Sequence, residues 1–169
     1  MNKNELYAKL LTYLEDELKV YRHLLDLVRK EKDILISAVI EELNENNKSK
    51  EAMLAKLRQL DRVREKAARE LAQAVGADMA QPKLLEIAAK LGGVEGDRLR
   101  SIHQALDMIL ARVRDLNKKN EGLAQSALTN VQGAMNALKT TLGETPVYKK
   151  QGEMKKTEVQ SGQLVSREA

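Results

Sequence analysis

Residues 5–39 read ELYAKLLTYLEDELKVYRHLLDLVRKEKDILISAV. Two seven-residue ladders run through this stretch: Tyr7, Leu14, Tyr21, Val28 and Leu35 on one, and Leu11, Leu18, Leu25, Lys32 and Val39 on the other. Such spacing places one narrow apolar stripe along a helix, and that stripe must be buried against other helices. The stretch therefore predicts a helical rod. Lys32 interrupts the second ladder, and we expect its ammonium group to reach solvent.

The composition of the 169-residue chain is typical of long helices packed by aliphatic side chains, since Phe, Trp and Cys do not occur. Without Cys, the chain forms no disulfides and no thiolate metal sites. The N-terminal segment lacks the unbroken apolar core of a signal peptide or a membrane span. We therefore expect a soluble, cytoplasmic protein that does not insert into membranes.

The charge pattern argues against a nucleic-acid partner. The formal net charge is +4, from 29 Lys and Arg against 25 Asp and Glu, and the two signs are interleaved along the chain. Interleaved charge is typical of a solvated helix surface, whereas nucleic-acid binding favours a one-sided basic face or base-stacking aromatic residues.

The end of the first helix has two candidate positions. Residues 44–49 hold three Asn and one Ser, which are poor helix-interior residues and good caps, so local propensity favours a break there. Against this, the ladder gains only Val39 beyond Leu35, and apolar residues crowd several faces between positions 34 and 43, as in a buried hairpin corner. From these residues alone, a break near Ser37 and a break at 44–49 both stay open.

Two further helices follow the first pattern. A second helix is predicted to end near Gly76, because glycine readily takes the left-handed cap conformation. Its seam consists of Met53, Leu57, Leu60, Arg64, Ala67 and Leu71. A short connector helix is predicted over residues 83–91, with Pro82 at its first helical position and the flexible glycine corner 92–96 after its end.

Asp97 is predicted to be the N-cap of the longest helix, of about forty residues or about 60 Å. Its seam consists of Leu99, Ile102, Leu106, Ile109, Val113, Leu116, Asn120, Leu123, Ala127, Val131, Ala134 and Leu138. Together these patterns predict an all-α fold, an elongated antiparallel bundle of three long helices with a short connector helix. We assign residues 1–142 to this bundle domain and residues 143–169 to a flexible C-terminal tail. The scattered apolar residues of the tail cannot offset about 1 to 2 kcal/mol of backbone entropy per residue.

The sequence carries no recognisable apparatus for catalysis, a cofactor or a metal ion. Its two histidines, His23 and His103, lie outside any Glu-x-x-His or His-x-x-x-His array. No glycine-rich phosphate loop follows a strand, and the carboxylates lie among basic residues without an apolar pocket that would raise a pKa. We therefore predict that the protein is not an enzyme and holds no cofactor.

Two polar side chains are candidate binding residues. Asn120 falls in a seam of apolar neighbours, where it either sets the register of the helices or contacts a partner. Tyr148 stands beside Val147 in the polar tail, where it is either incidental or an aromatic anchor for a docked protein.

Several pieces of the chain, in this order, resemble the FlgN family of flagellar export chaperones over most of residues 5–152. The pieces are the Glu17 to Leu27 run, Glu31-x-x-Ile34-Leu35, Leu43, Lys50-x-x-Met53-Leu54-x-x-Leu57 leading to Arg62 and Arg64, the connector helix, Asn117-Lys-Lys-Asn120-Glu-Gly-Leu123, and Leu138 with Tyr148 and Gly152. The segment Tyr148-Lys-Lys-Gln-Gly152 departs from the compact Tyr-Gly-Pro-like signature of the family. The resemblance favours the break of the first helix near Ser37.

The resemblance implies a cytoplasmic chaperone without ATPase activity. It would bind the C-terminal regions of hook-filament junction proteins, keep them from premature assembly and deliver them to the flagellar type III export apparatus. In the family the substrate-binding region lies toward the C-terminus, so the expected contacts in this chain are Asn120, Leu123, Leu138, Leu142, Val147 and Tyr148. The alternative hypothesis is a structural coiled-coil scaffold that acts by self-association, with a homodimer as its simplest form.

Overall fold

The structure, a computed structural model, describes residues 2–143, 147–148 and 154–155. Its helices are α1 (Lys3–Ser37), α2 (Ile40–Val75), α3 (Leu84–Leu91) and α4 (Gly93–Gly143). Two short strands, β1 (Val147–Tyr148) and β2 (Met154–Lys155), pair antiparallel. The predicted all-α class is confirmed by the four helices. Most of the predicted flexible tail lies outside the described residues.

The first helix begins with a capping box and ends near Ser37. The Asn2 side chain accepts from the backbone N–H of Glu5, while the Glu5 carboxylate accepts from the backbone N–H of Asn2. At the other end Ala38 is left-handed, with φ 56°, and its N–H donates to the carbonyl of Ile34. The break near Ser37 is therefore confirmed.

The alternative break at residues 44–49 is wrong, because these residues lie inside α2. Asn46 is only 3% exposed, and its Nδ2 donates to the carbonyl of Leu27 in α1 at 3.2 Å. This contact between helices compensates for the poor helix propensity of the asparagine.

The corner between α1 and α2 is more exposed than its apolar sequence predicts. Ile34 is buried, but Ile36 is 65% exposed and Ile40 is 66% exposed. The interpretation of this stretch as a buried corner is therefore wrong for two of its isoleucines. A helix turns only one face toward its neighbour, and Ile34 occupies that face here.

The ends of α2 and α3 lie at or near the glycine and proline residues from which they were predicted, with one correction. Gly76 caps α2 in the left-handed conformation (φ 71°), as predicted, and its N–H donates to carbonyls of the last turn. The connector helix α3 lies within one residue of its predicted position. Lys83, however, is its N-cap, so Pro82 precedes the helix and does not occupy its first position.

The predicted start of the longest helix is wrong. α4 begins at Gly93, immediately after Gly92, and the N–H of Gly96 already donates to the carbonyl of Gly92 at 2.9 Å. Asp97 thus lies within the helix and accepts from the guanidinium of Arg100. The glycine corner is correspondingly shorter than predicted, since most of residues 92–96 are helical.

Gly96 is required by the packing of α4 on α3. It is buried, and a Cβ at this position would overlap with the backbone carbonyl of Ala88. A backbone atom cannot move away as the end of a flexible side chain can. The close approach of the two helices therefore depends on the absence of a side chain at residue 96.

The apolar stripes of the helices form two buried clusters. The first cluster draws on all four helices and is centred on Leu10, Leu14, Leu71, Ile87 and Leu99, each no more than 1% exposed. The second joins α1, α2 and α4 through Val20, Leu24, Leu25, Val28, Leu57 and Val113. Lys32 and Val39, which end the second ladder of α1, are exposed.

Polar contacts show the directions of the helices. From α1 to α2 they are Lys9–Glu70, Glu17–Arg64 and Glu31–Lys50. Residue numbers rise in α1 as they fall in α2, so these two helices are antiparallel. From α1 to α4 the contacts are Glu15–Arg98 and Val28–Asn120. Residue numbers rise together along α1 and α4, so these two helices run in the same direction.

The chain divides into two compact units, Met1–Leu123 and Ala124–Ala169. The first unit contains both apolar clusters. In the second unit, the described residues are the last part of α4 and the two short strands. The division at residues 142 and 143 that the sequence suggests stays a prediction. Within the described part of the chain, no helix has the length and apolar character needed to cross a membrane.

Candidate protein-binding site

The last part of α4 presents large apolar side chains to solvent. Leu128, Val131, Met135 and Leu138 are between 50% and 60% exposed, and we call these four residues the exposed stripe. They follow one another at steps of three, four and three residues, which is the spacing of a helix seam. The stripe therefore has the pattern of a buried surface but is not buried.

Small residues widen this surface on one side. Ala127 and Ala134 are exposed and lie beside the stripe at helical spacing. At about 100° per residue, the arc from Leu128 to Ala134 covers about 120° of the helix surface. An arc of that width is typical of a helix face that is buried against other segments.

Charge is absent from this part of the helix. No Asp, Glu, Lys, Arg or His occurs from residue 122 to residue 138, although 32% of the chain is charged. The larger polar residues that flank the stripe are Gln125 and Gln132, and Lys139 is the first charged residue after it. The exposed stripe thus lacks the charged borders of a solvated helix.

Asn120 is the last buried residue of α4, at 4% exposed. Its Nδ2 donates to the carbonyl of Val28 at 2.8 Å and to Oε2 of Glu31 at 2.9 Å. Its Oδ1 is buried and has no hydrogen-bond partner in the described structure. These contacts agree with the interpretation of Asn120 as a residue that sets helix register.

Glu31 connects three helices. One of its carboxylate oxygens accepts from Asn120 of α4, and the other accepts from Nζ of Lys50 of α2. The Glu31 side chain is only 12% exposed, so both contacts are largely shielded from solvent. The sequence analysis did not identify this cluster. In the sequence, this cluster was indicated by the occurrence of Glu31, Lys50 and Asn120 in separate pieces of the pattern that resembles the family.

The remaining predicted binding residues have different surroundings. Leu138 belongs to the exposed stripe, and Leu142, at 59% exposed, continues its spacing. Leu123 belongs to the other compact unit and is 38% exposed. The backbones of Val147 and Tyr148 form β1, and their side chains lie outside the described part of the structure. The structure thus groups Leu138 with Leu142 on one exposed surface.

Two contact candidates were missed by the sequence analysis. Leu128 and Met135 were not singled out, because the predicted seam passed through Ala127 and Ala134 beside them. The sequence indicated these two residues through the spacing of three and four residues from Leu128 to Leu138, combined with the loss of charged residues after residue 121.

A cleft lies among the four helices. It has a volume of about 290 Å³ and is lined by Leu14, Glu17, Tyr21, Arg64, Leu84, His103, Leu106, Asp107 and Leu110. Glu17 is 8% exposed, and its Oε2 lies 3.0 Å from Nε of Arg64 as an ion pair without hydrogen-bond alignment. Burial raises the pKa of the Glu17 carboxyl, and the positive charge of Arg64 opposes this rise.

This cleft lacks an arrangement for catalysis among the residues described. Arg64 also binds the Asp61 carboxylate, and His103 Nδ1 is 3.0 Å from the Asp107 carboxylate. No serine, threonine or cysteine lines the cleft as a nucleophile beside a base. The described chain also contains no group of three or more side chains placed to hold a metal ion.

Comparison with known proteins assigns the family. Neither the curated proteins nor the solved structures gave a match. A family model described as FlgN protein matches residues 1–156, which is most of the 169-residue chain. The chain therefore belongs to the FlgN family, whose general role is that of flagellar export chaperones.

Proposed function

We propose that this protein is a cytoplasmic export chaperone that binds the C-terminal regions of hook-filament junction proteins. It would keep these proteins from assembling prematurely and deliver them to the flagellar type III export apparatus. Family membership supports the general role. The observation that carries the specific proposal is the exposed stripe on the last part of α4.

An exposed stripe with this spacing suits a helical partner. Four large apolar side chains at steps of three and four residues are covered most completely by an amphipathic helix with the same periodicity. A partner that covers such side chains would stabilise the complex by about 25 cal/mol for each Å² of apolar surface removed from water. We therefore propose that the C-terminal helical region of the junction protein packs along Leu128, Val131, Met135 and Leu138, and along Leu142.

The other compact unit would have a structural role in this proposal. We propose that α1, α2 and α4 form an antiparallel three-helix bundle, because the contacts of α1 run antiparallel to α2 and in the same direction as α4. The internal contacts of Asn120 favour a structural role for this residue. We therefore propose that Asn120 sets the register of the helices, and we keep Leu123, Val147 and Tyr148 among the proposed substrate contacts.

The first experiment measures binding of purified C-terminal segments of the junction proteins encoded in the same genome. The test variant combines Met135→Gln with Leu138→Gln, which removes apolar area from residues that are 52% and 60% exposed. We expect affinity to fall by at least about tenfold, because truncation of an interface anchor typically costs more than about 1 kcal/mol. Calorimetric titration gives the affinity directly.

A matched control separates loss of binding from general loss of structure. Met108→Gln with Leu85→Gln makes the same two chemical changes at residues that are 63% and 50% exposed, away from the stripe. We expect this control to bind normally. Normal binding by the stripe variant would reject the stripe as the substrate site, and no binding by the unaltered chain to any junction protein would reject the chaperone proposal.

The contribution of the tail is tested by a truncated chain of residues 1–142. If Val147 and Tyr148 contact the substrate, this truncation weakens capture even though the exposed stripe is intact. A truncated protein that binds with unchanged affinity would limit the site to α4.

The spacing of the stripe also favours one alternative function, a scaffold that self-associates. A second copy offers the same steps of three and four residues, so two stripes can pack on each other. In that case light scattering would show concentration-dependent association that the Met135→Gln and Leu138→Gln changes abolish. A monomer at high concentration would reject the scaffold.

A further inference from the structure

The chemistry of the surface around the stripe restricts what can pack on it. Residues 122–138 carry no charge, whereas residues 93–121 of the same helix are rich in both signs, among them Arg112, Arg114, Asp115, Lys118 and Lys119. The uncharged stretch of α4 therefore coincides with the part that carries the exposed stripe.

Helices that pair through a seam usually select their partners by charges at the flanks of that seam. Opposite charges across the flanks fix partner and orientation, and like charges oppose binding. Beside the four residues of the stripe, the flanks are occupied by Gln125 and Gln132 on one side and by Ala127 and Ala134 on the other. Neither the glutamines nor the alanines can form an ion pair with a partner, and the first charge in line with Gln132 is Lys139, seven residues later.

A charged flank on the partner would also be at a disadvantage. A charge moved from water to a position beside Gln, Ala and apolar side chains loses hydration and gains no opposite charge. A partner whose flanks are Gln, Asn, Ser, Thr or Ala loses much less on association.

We propose that the segment bound by the exposed stripe is a helix whose contacting side is uncharged, and that its binding is independent of salt. This inference rests on the proposed function and describes the substrate segment at the same site. Packing of apolar side chains supplies the affinity, and the small residues Ala127 and Ala134 allow a close approach of the partner backbone. Selection among partners then depends on shape and periodicity rather than on charge.

The test places charges of both signs at one flank position. The unaltered chain, Gln132→Glu and Gln132→Lys are titrated with the purified C-terminal segments of the junction proteins from the same genome. If the contacting side of the substrate is uncharged, both variants bind about fivefold more weakly, because either charge is desolvated without a partner. If the substrate carries flank charges, one variant binds more weakly and the other more tightly, and the inference is overturned.

A matched control lies on the other side of the same helix. Thr129 is exposed and lies about 140° from the middle of the stripe, so Thr129→Glu and Thr129→Lys make the same changes of charge at a residue that is neither in the stripe nor at the Gln132 position. We expect both to bind like the unaltered chain. Effects at Thr129 as large as those at Gln132 would show that net charge, and not the flank, controls binding, and would overturn the inference.

Salt dependence provides an independent measurement on the unaltered chain. Between about 0.05 M and about 0.5 M NaCl we expect the affinity to change by less than about twofold, because screening weakens ion pairs but not apolar contacts. A steep loss of affinity with salt would overturn this inference while leaving the chaperone proposal intact. No binding at either salt concentration would reject the chaperone proposal and this inference with it. Pairing of two copies through the stripe without substrate binding would also overturn it.

Discussion

Residues 93–120 and residues 124–142 are parts of one helix, but the seam residues of the two parts have opposite surroundings. In the first part Leu99 and Ile102 are buried at 0% and 4% exposed, and charged residues cover the outer face. In the second part Val131 and Leu138 are 56% and 60% exposed, and charge is absent up to residue 138. The difference shows that the same helical periodicity serves folding in one part and, as we propose, binding in the other.

The largest expected difference in the free energy of unfolding is between a variant that truncates a buried leucine and one that truncates an exposed leucine. Leu99→Ala removes a fully buried side chain, so we expect it to lower the free energy of unfolding by about 2 to 5 kcal/mol. Leu138→Ala should change it by less than about 0.5 kcal/mol, because most of the side chain is already in water. Urea denaturation of the two variants beside the unaltered chain measures both values. Equal losses would contradict the proposed division of roles.

The next comparison uses the same substitution at two glycines of α4. Gly96→Ala forces a Cβ against the backbone of Ala88, so we expect a loss of about 1 to 3 kcal/mol. Gly133 has no atom within 4 Å of such a Cβ, and Gly133→Ala should stabilise the helix by about 0.5 to 1 kcal/mol. Thermal unfolding monitored by circular dichroism should show shifts of opposite sign. Two shifts of the same sign would mean that α3 and α4 do not approach closely at Gly96.

A smaller difference in the free energy of unfolding is expected between alanine substitutions at two asparagines. Asn120→Ala removes the hydrogen bonds to Val28 and Glu31, and at about 0.5 to 1.5 kcal/mol for each bond the loss should be measurable. Asn130 is exposed, and Asn130→Ala should be neutral or slightly stabilising because alanine is the better helix former. Denaturant titration measures the free energy of unfolding of both variants. An Asn120→Ala variant as stable as the unaltered chain would reject the role of Asn120 in setting helix register.

The smallest expected effect concerns pH. Burial raises the pKa of Glu17 in the folded protein, so its contribution to stability is fully present below the ordinary glutamate pKa. That contribution is lost as the pH rises through the raised value. The stability of the unaltered chain relative to Glu17→Gln should therefore fall as the pH rises from the ordinary glutamate pKa through the raised pKa of Glu17.

Glu70 provides a control of opposite sign for this pH dependence. The hydrogen bond from Lys9 lowers the pKa of Glu70, so its contribution is present above the ordinary glutamate pKa and is lost as the pH falls through the lowered value. The stability of the unaltered chain relative to Glu70→Gln should rise with pH, and this rise lies at lower pH than the change for Glu17, between the lowered pKa of Glu70 and the ordinary glutamate pKa. Parallel pH profiles for the two variants would contradict the different environments of these carboxylates.

Local patterns predicted much of the fold, and the errors concern competition between local and distant contacts. The end of α2 at Gly76 and the position of α3 follow from glycine and helix periodicity. Asp97 is a good capping residue, but α4 had already begun at Gly93. Residues 44–49 have the composition of a break, yet Asn46 is stabilised inside a helix by a carbonyl 19 residues away.

The sequence indicated part of the exposed surface that we propose as the binding site. The sequence indicated Leu138 and Leu142, and the structure places them with Leu128 and Met135 on an exposed apolar surface. Asn120 was assigned both a structural and a binding role, and its contacts with Val28 and Glu31 agree with the structural one. Those contacts span about ninety residues of sequence, and no local pattern specifies a partner at that separation.

The sequence by itself determined the helices and their apolar stripes, because side-chain spacing along a helix is a local property of the chain. It also determined the uncharged stretch from residue 122 to residue 138. Only the tertiary structure decided that the stripe of α1 is covered while that of Leu128 to Leu138 is not. The physical reason is that burial depends on which other segments pack against a helix, and the spacing within the helix does not contain that information.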